Sequence, residues 1–237
     1  MQDFTKANAI TLDTYQQIAS LYAEVHKHAT RPPFWRQRLQ RFADALRSSP
    51  AYQANPALPV LDMGCGTGLD SLPLAQMGFN VLAADLSAAM LDEAHKRCQG
   101  QPGVERITFR CMDMHRIDLA GDSCAGLWIS ASFLHIPKRE NLIVLKELVR
   151  VLAPGGPVML LVKESDSEDD ERYEVHKESG KLRFFARYHG SELWALLEQA
   201  GLQVHEITTT VDERFSDGRR WLGALAAKPH LPNGATF

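Results

Sequence analysis

A short apolar run that ends in three glycines constrains the fold of this chain more than any other feature. Residues 58–63 read Leu-Pro-Val-Leu-Asp-Met, and Gly64, Gly66 and Gly68 follow at alternate positions. A helix pattern begins directly after them. Glycine lets the backbone turn tightly and lets a ligand come close, where a Cβ atom would obstruct it. The sequence therefore predicts a strand, a ligand-binding loop and a helix, in that order.

The rest of the chain continues this alternation of strand and helix. Six further segments have the apolar composition of strands: residues 81–85, 106–110, 126–130, 158–162, 202–208 and 221–227. The segment at 158–162 is apolar throughout, as expected for a strand buried on both faces of a parallel sheet. The last two segments flank a polar turn around Asp217–Gly218. This order predicts an α/β fold with one doubly wound sheet of seven strands.

Two regions lie outside the alternation. Residues 1–56 carry two helical stripes, and we assign them to a helical lid or substrate cap. Residues 57–237 are assigned to the main domain, and the two parts are expected to form one structural unit. An acidic insertion near 164–187 interrupts this domain, because residues 164–178 hold eight Asp or Glu. We expect it to be solvated and mobile, with a lid over a cationic substrate as the alternative.

Charge and cysteine content exclude several classes of function. The chain has 237 residues and a formal net charge of -3, which gives no electrostatic case for nonspecific binding to nucleic acid or a membrane surface. Its four cysteines show no C-x-x-C spacing and no matching histidine pair, which favours reduced thiols over a metal site or disulfides. The apolar runs are shorter than the ~20 residues that cross a bilayer. The N-terminus lacks a signal-peptide pattern, so we expect a cytoplasmic protein.

The spacing of the glycines separates two kinds of cofactor. A dinucleotide-binding loop reads G-x-G-x-x-G, but Leu69 stands where its last glycine is required, and the pattern here is G-x-G-x-G. Asp85 ends the second predicted strand, seventeen residues after Gly68. An acidic residue at that point accepts hydrogen bonds from ribose hydroxyls in Rossmann-like sheets. The pattern disfavours a nicotinamide oxidoreductase and indicates another ligand that contains ribose.

The chain resembles the class I S-adenosylmethionine-dependent methyltransferases, in the small-molecule branch often called the type 11 or type 12 methyltransferase domain. The resemblance covers residues 10–227 and rests on four motifs in order: Asp62–Gly68, Asp85–Ser87, Met112–Met114 and Arg150–Gly156. It implies a Rossmann-like, mostly parallel seven-stranded sheet with an antiparallel last strand and N-terminal lid helices. It also implies S-adenosylmethionine as cofactor and S-adenosylhomocysteine as product. The expected reaction is in-line methyl transfer to a small-molecule acceptor.

The resemblance assigns residues to the cofactor. The glycines would pass close to its methionine and ribose parts, and Asp62 would lie near its positively charged amino group, directly or through water. Asp85 would take the ribose hydroxyls, and Asp113 would accept from the adenine amino group. The implied cofactor-binding residues are Asp62, Gly64, Cys65, Gly66, Gly68, Asp85, Leu86, Met90, Asp113, Met114 and Ser130.

The acceptor side is less defined. His135 follows the fourth predicted strand and is the candidate general base, because histidine titrates near neutrality; the alternative is a residue that packs or lines the site. Lys163 could hold a carboxylate or pair with an acid of the insertion. The family places the acceptor under the N-terminal helices and the segment after the fifth strand, which gives the candidates Tyr15, Tyr22, Lys163, Arg172, Arg183 and Tyr188.

Two other functions remain open at this stage. One is an RNA- or protein-modifying methyltransferase, against which stand the net charge and the sequence Ser130–Phe133 in place of Asn/Asp-Pro-Pro-Tyr. The other is a protein that binds S-adenosylmethionine without transferring methyl. We therefore expect a small-molecule partner, with nucleic acid and membrane disfavoured and the oligomeric state open.

Overall fold

The computed structural model describes residues 5–27, 32–165, 170–214 and 218–230. Within these ranges the helices are α1 (Thr5–Val25), α2 (Pro33–Ser48), α3 (Pro50–Ala54), α4 (Ser71–Gln76), α5 (Ala88–Cys98), α6 (Asn141–Val151) and α7 (Gly190–Gln199). The strands are β1 (Val60–Met63), β2 (Val81–Asp85), β3 (Ile107–Cys111), β4 (Gly126–Ser130), β5 (Pro157–Lys163), β6 (Glu171–Val175), β7 (Leu182–Ala186), β8 (Gln203–Val211) and β9 (Arg220–Ala227).

Seven of these strands form the main sheet, in the order β3-β2-β1-β4-β5-β9-β8. Strands β1 to β5 pair in parallel, whereas β9 runs antiparallel to both β5 and β8. The predicted seven-stranded sheet with an antiparallel last strand is confirmed. The chain moves outward from β1 to β3 and then returns to place β4 on the other side of β1. Ligands of open α/β sheets bind at such a switch point, beyond the carboxyl ends of the strands.

The N-terminal helices divide between two roles. The buried face of α2 packs on the sheet, where the Phe42 ring centroid lies 5.5 Å from that of Trp128. Asp70 accepts hydrogen bonds from the indoles of Trp35 and Trp128, at 3.3 and 3.0 Å. Of the helices predicted as a cap, α2 therefore belongs to the core, and α1 contributes side chains to the wall of a cavity. No helix in the described ranges is long and apolar enough to cross a membrane.

The acidic insertion differs from its prediction. Strands β6 and β7 within it form an antiparallel hairpin, and Phe184 and Phe185 on β7 are buried. Helix α1 docks on this hairpin: Thr14 Oγ1 donates to the Leu182 carbonyl at 2.6 Å, and the Phe184 N–H donates to Thr11 Oγ1 at 3.0 Å. The insertion is thus a structured wall wherever it is described. Residues 166–169, and Asp217 of the predicted turn, lie outside the described residues.

Candidate active site

A cavity opens at the switch point between β1 and β4. Its floor is formed by the glycine loop, the end of β2, residues 112–115 and the segment that follows β4. Helix α1 covers it with Asn8, Thr11, Leu12, Tyr15 and Tyr22. The cavity is where the motifs of the sequence converge, and its two ends differ in chemistry.

The three loop glycines have different tasks, although all have positive φ angles of +77°, +54° and +74°. A Cβ atom on Gly64 would lie 2.2 Å from Ser132 Cβ, and one on Gly68 would lie 3.3 Å from Cys98 Sγ. These two positions need glycine for packing within the protein. A Cβ atom on Gly66 would meet no protein atom within 4 Å, so the space beside Gly66 belongs to the cavity.

Asp85 connects this loop to β2. Its Oδ2 accepts the Gly66 N–H and its Oδ1 accepts the Ser87 N–H, both at 2.8 Å. Burial raises the pKa of the Asp85 carboxyl. Each carboxylate oxygen has a further lone pair for a ligand hydroxyl. Ser87 also caps α5 as predicted, because its Oγ accepts the Met90 N–H at 3.2 Å.

Two buried hydroxyls in the cavity wall lack protein partners. Thr67 Oγ1 and Ser130 Oγ line the cavity and form no hydrogen bond within the part of the chain that the structure describes. Buried polar groups of folded proteins nearly always have a partner. These hydroxyls, beside the open space at Gly66, fit a polar ligand in the cavity.

A histidine lies between two carboxylates at the other end of the cavity floor. His115 Nδ1 lies 2.8 Å from Asp113 Oδ1, and its Nε2 lies 3.0 Å from Glu140 Oε2. Carboxylate oxygens only accept, so both contacts are satisfied when the ring is protonated. These contacts raise the pKa of His115 and lower that of Asp113. Asn8 of α1 donates to the same Glu140 oxygen at 3.2 Å, which connects the covering helix to this network.

Removing His115 should change how stability depends on pH. Its raised pKa means that its contribution is complete below the ordinary histidine pKa of about 6.5 and is lost as pH rises through the folded-state pKa. We expect His115→Gln to cost about 1 kcal/mol near pH 6 and much less near pH 9. Urea unfolding at both pH values measures this, with the exposed His205→Gln as control. An equal loss at both pH values would contradict the protonated bridge.

Tyr15 and His135 form a hydrogen-bonded pair in the cavity wall. Tyr15 Oη lies 3.0 Å from His135 Nε2, and His135 Nδ1 lies 2.6 Å from the Phe184 carbonyl. A carbonyl only accepts, so Nδ1 carries the proton and the phenol donates to Nε2. Burial, aided by the nearby Arg183 and Lys163 charges, lowers the pKa of His135 to about 3. Burial raises the pKa of Tyr15 to about 12, so both groups are neutral near pH 7.

Comparison with known proteins identifies the domain that carries this cavity. Residues 60–156 match the family described as "Methyltransferase domain". Methyltransferase GfsG of Streptomyces halstedii is 30% identical over 169 residues, which cover 70% of this chain and 60% of GfsG. A demethylmenaquinone methyltransferase of Clavibacter sepedonicus is 34% identical over 101 residues, or 43% of this chain and 39% of that enzyme. Residues 60–156 therefore carry a methyltransferase domain. The chain spans about 60% or less of the length of these curated relatives.

Solved structures show the same fold as this methyltransferase domain. The [4+2]-cyclase SpnF has a TM-score of 0.72 at 14% identity. That alignment covers 95% of this chain and 97% of SpnF. The Burkholderia thailandensis 1,6-didemethyltoxoflavin-N1-methyltransferase, solved with its acceptor and S-adenosylhomocysteine, has a TM-score of 0.67 at 20% identity. That alignment covers 97% of this chain and 92% of the other. At these identities the likeness concerns the fold alone.

Most cofactor residues predicted from the sequence line the cavity of the methyltransferase domain. Those that do are Gly64, Cys65, Gly66, Asp85, Leu86, Met90, Asp113, Met114 and Ser130. Two do not. Asp62 is buried and accepts from Ser71 Oγ, and Gly68 packs against α5. Thr67, His115 and Asn8 also line the cavity but were not predicted, although Thr67 stands inside the glycine motif.

The predicted acceptor residues lie in different parts of the structure. Tyr15 and Tyr22 line the cavity, and Arg183 Nη1 donates to Tyr15 Oη at 3.3 Å. Lys163 and Arg172 line a second cavity instead, and Lys163 pairs with Glu174 of the insertion at 2.7 Å. Tyr188 is fully buried in the core, and its hydroxyl accepts from Asn141 at 2.9 Å. Tyr188 therefore lines neither of these two cavities.

Proposed function

We propose that this chain transfers the methyl group of S-adenosylmethionine to a small-molecule acceptor. The observation that carries the proposal is the pair of buried, unpartnered hydroxyls of Thr67 and Ser130 beside the open backbone at Gly66. Asp85 and Asp113 flank this space at the ends of two neighbouring strands. The residues present therefore fit a cofactor with a polar amino-acid part, a ribose and an adenine.

The chain's own residues would divide the cofactor between them. Thr67 and Ser130 would hydrogen-bond its amino-acid part, Asp85 would accept from the ribose hydroxyls, and Asp113 would accept from the adenine amino group. When bound, the cofactor supplies a methyl group activated by a sulfonium. The rest of the catalysis is positioning, which can lower a barrier by several kcal/mol when two reactants are held in line.

Tyr15 and His135 provide a path for the proton of the acceptor. A hydroxyl becomes strongly acidic once its oxygen is methylated, so a weak base suffices to take its proton. We infer that this proton moves to Tyr15 Oη while the phenol proton moves to His135 Nε2, whose lone pair it already contacts. His135 thus serves as the base predicted from the sequence, but it acts through Tyr15.

The Tyr15–His135 pair and the net charge of the chain discriminate between the candidate reactions. A nucleic-acid acceptor is disfavoured by the net charge of -3 and by the cover that α1 makes over the cavity. The cyclase SpnF shares the fold, so the fold alone does not decide the reaction. The Tyr15–His135 pair favours an acceptor that loses a proton on methyl transfer, because it supplies both a hydrogen-bond partner and a base.

Calorimetric titration tests the cofactor assignment. We expect micromolar binding of S-adenosylmethionine and S-adenosylhomocysteine and no binding of NAD. Asp85→Ala should weaken the first two by about 10- to 100-fold, because it removes hydrogen bonds to a charged group. Asp44→Ala, on the exposed face of α2, is the matched control. NAD binding, or an unaltered affinity in folded Asp85→Ala, would contradict the assignment.

A second experiment tests methyl transfer itself. The protein is incubated with S-adenosylmethionine and a panel of small phenols, amines and acids, and mass spectrometry detects any methylated product.

A further inference from the structure

Arg183 stands beside the Tyr15–His135 pair as a cation that lacks a counter-ion. Its Nη1 donates to Tyr15 Oη, and its guanidinium carbon lies 5.2 Å from the centroid of the Phe185 ring. The Nε atom is buried and has no hydrogen-bond partner among the described residues. Over the same ranges Arg183 forms no ion pair with a carboxylate. Arg183 lies on β7 directly behind Tyr15 and is not itself among the residues that line the cavity, so its contact with Tyr15 Oη is what connects it to the cavity wall.

Glu174 lies opposite Arg183 on β6 and Glu178 lies 3.5 Å from His176, but neither carboxylate forms an ion pair with Arg183 among the described residues. The other groups near Arg183 are neutral. Helix α1 contributes the phenol of Tyr15, and the segment after β4 contributes neutral His135. On the hairpin, His176 has its pKa lowered by burial and by Arg183 itself. Each of these groups leaves the positive charge of Arg183 uncompensated.

The acidic side chain opposite Arg183 on the hairpin is already occupied. Glu174 pairs with Lys163 at 2.7 Å and with Arg187 at 2.6 Å, in the second cavity. The Phe185 ring lies between the two regions, because it contacts the Lys163 ammonium at 3.7 Å and the His135 ring at 4.7 Å between centroids. Glu174 is therefore held by cations of the second cavity and forms no ion pair with Arg183 among the described residues.

Burying a guanidinium whose N–H groups lack acceptors costs free energy, and an anionic ligand that accepts from them would offset this cost. We propose that the acceptor carries a carboxylate or phosphate group that pairs with Arg183. The planar fork of arginine binds such groups through two parallel hydrogen bonds, which fixes their orientation. An anion held there places the rest of the acceptor against Tyr15 Oη, where its proton is taken. This inference rests on the proposed function and narrows its substrate class to anionic small molecules.

The test measures binding of small probes to protein loaded with S-adenosylhomocysteine. Benzoate and benzamide have nearly the same shape and differ in charge, and phenyl phosphate is the phosphate arm. We expect at least one anion to bind wild type about tenfold or more tightly than benzamide, as expected for one charge-assisted pair. Arg183→Gln should abolish this preference, and Arg183→Lys should keep part of it. Arg172→Gln, in the second cavity, is the matched control and should change nothing.

The outcomes separate the inference from the proposed function. Anions that bind no better than benzamide, or a preference that survives Arg183→Gln, overturn the inference. A preference lost in Arg172→Gln instead assigns the anion to the second cavity and also overturns it. Failure of S-adenosylhomocysteine to bind wild type overturns the proposed function, and the inference with it. Preference for benzoate points to a carboxylate acceptor, and preference for phenyl phosphate to a phosphorylated one.

Discussion

Replacing Gly66 with valine is expected to abolish measurable binding of S-adenosylhomocysteine in a protein that still folds. A Cβ atom at this position meets no protein atom within 4 Å, so the added side chain enters the cavity rather than the core. The φ angle of +54° makes any side chain unfavourable there, at a cost of about 1–2 kcal/mol in stability. The loss of affinity should exceed about 100-fold, or roughly 2.7 kcal/mol, because the ligand and the side chain need the same space.

The chain supplies a matched control for this substitution. Gly100 has a φ angle of +71°, also has no protein atom within 4 Å of an added Cβ, and lies beyond the far end of α5. Gly100→Val should therefore lose similar stability in thermal unfolding and keep full affinity in calorimetry. Gly64→Val is a different case, since its Cβ would overlap Ser132 and the protein itself should be destabilised. Equal affinities of Gly66→Val and wild type would remove the cofactor from this loop.

The cofactor half of the site could be predicted because its chemistry is local in sequence. A strand, three glycines and an acidic strand end fix backbone positions directly, and Asp85 and Gly66 meet through their own short segments. Asp62 and Gly68 belong to the same motif but do not line the cavity. Contiguous residues were assigned one task, whereas neighbouring residues point in different directions, here toward Ser71 and toward α5.

Tyr15, His135 and Arg183 were all candidates from the sequence, but their contacts with one another could not be predicted, because they join distant segments. Tyr15, His135 and Arg183 meet only after α1 has docked on the β6–β7 hairpin, and no local pattern signals that contact. The acidic insertion differs from its predicted solvated, mobile state for a related reason. Its carboxylates were taken as solvated, but Lys138 pairs with Asp170 and Lys163 with Glu174, so cations far away in sequence stabilise it.

Loss of the Tyr15 hydroxyl is expected to slow methyl transfer by about 100-fold or more, a typical effect of removing a general base. Tyr15→Phe keeps the ring that packs against His135 but breaks the proton path to Nε2. His135→Gln should cost a similar factor, and the double variant should be little worse than either, because the two groups act as one unit. Single-turnover rates with an acceptor from the panel measure this, and unchanged affinity for S-adenosylhomocysteine excludes misfolding.

The pH profile of the wild-type rate distinguishes this pair from a free histidine base. A free histidine would lose activity below its ordinary pKa of about 6.5, as the ring becomes protonated. Burial lowers the pKa of His135 to about 3 and raises that of Tyr15 to about 12, so the pair stays neutral between those limits. The rate should therefore be flat between about pH 5 and pH 9, with falls only outside this range. An inflection near pH 6.5 that disappears in His135→Gln would show that the histidine faces solvent and acts without Tyr15. Full activity in Tyr15→Phe would instead mean that the acceptor attacks without a proton to lose, as a carboxylate or thiolate does.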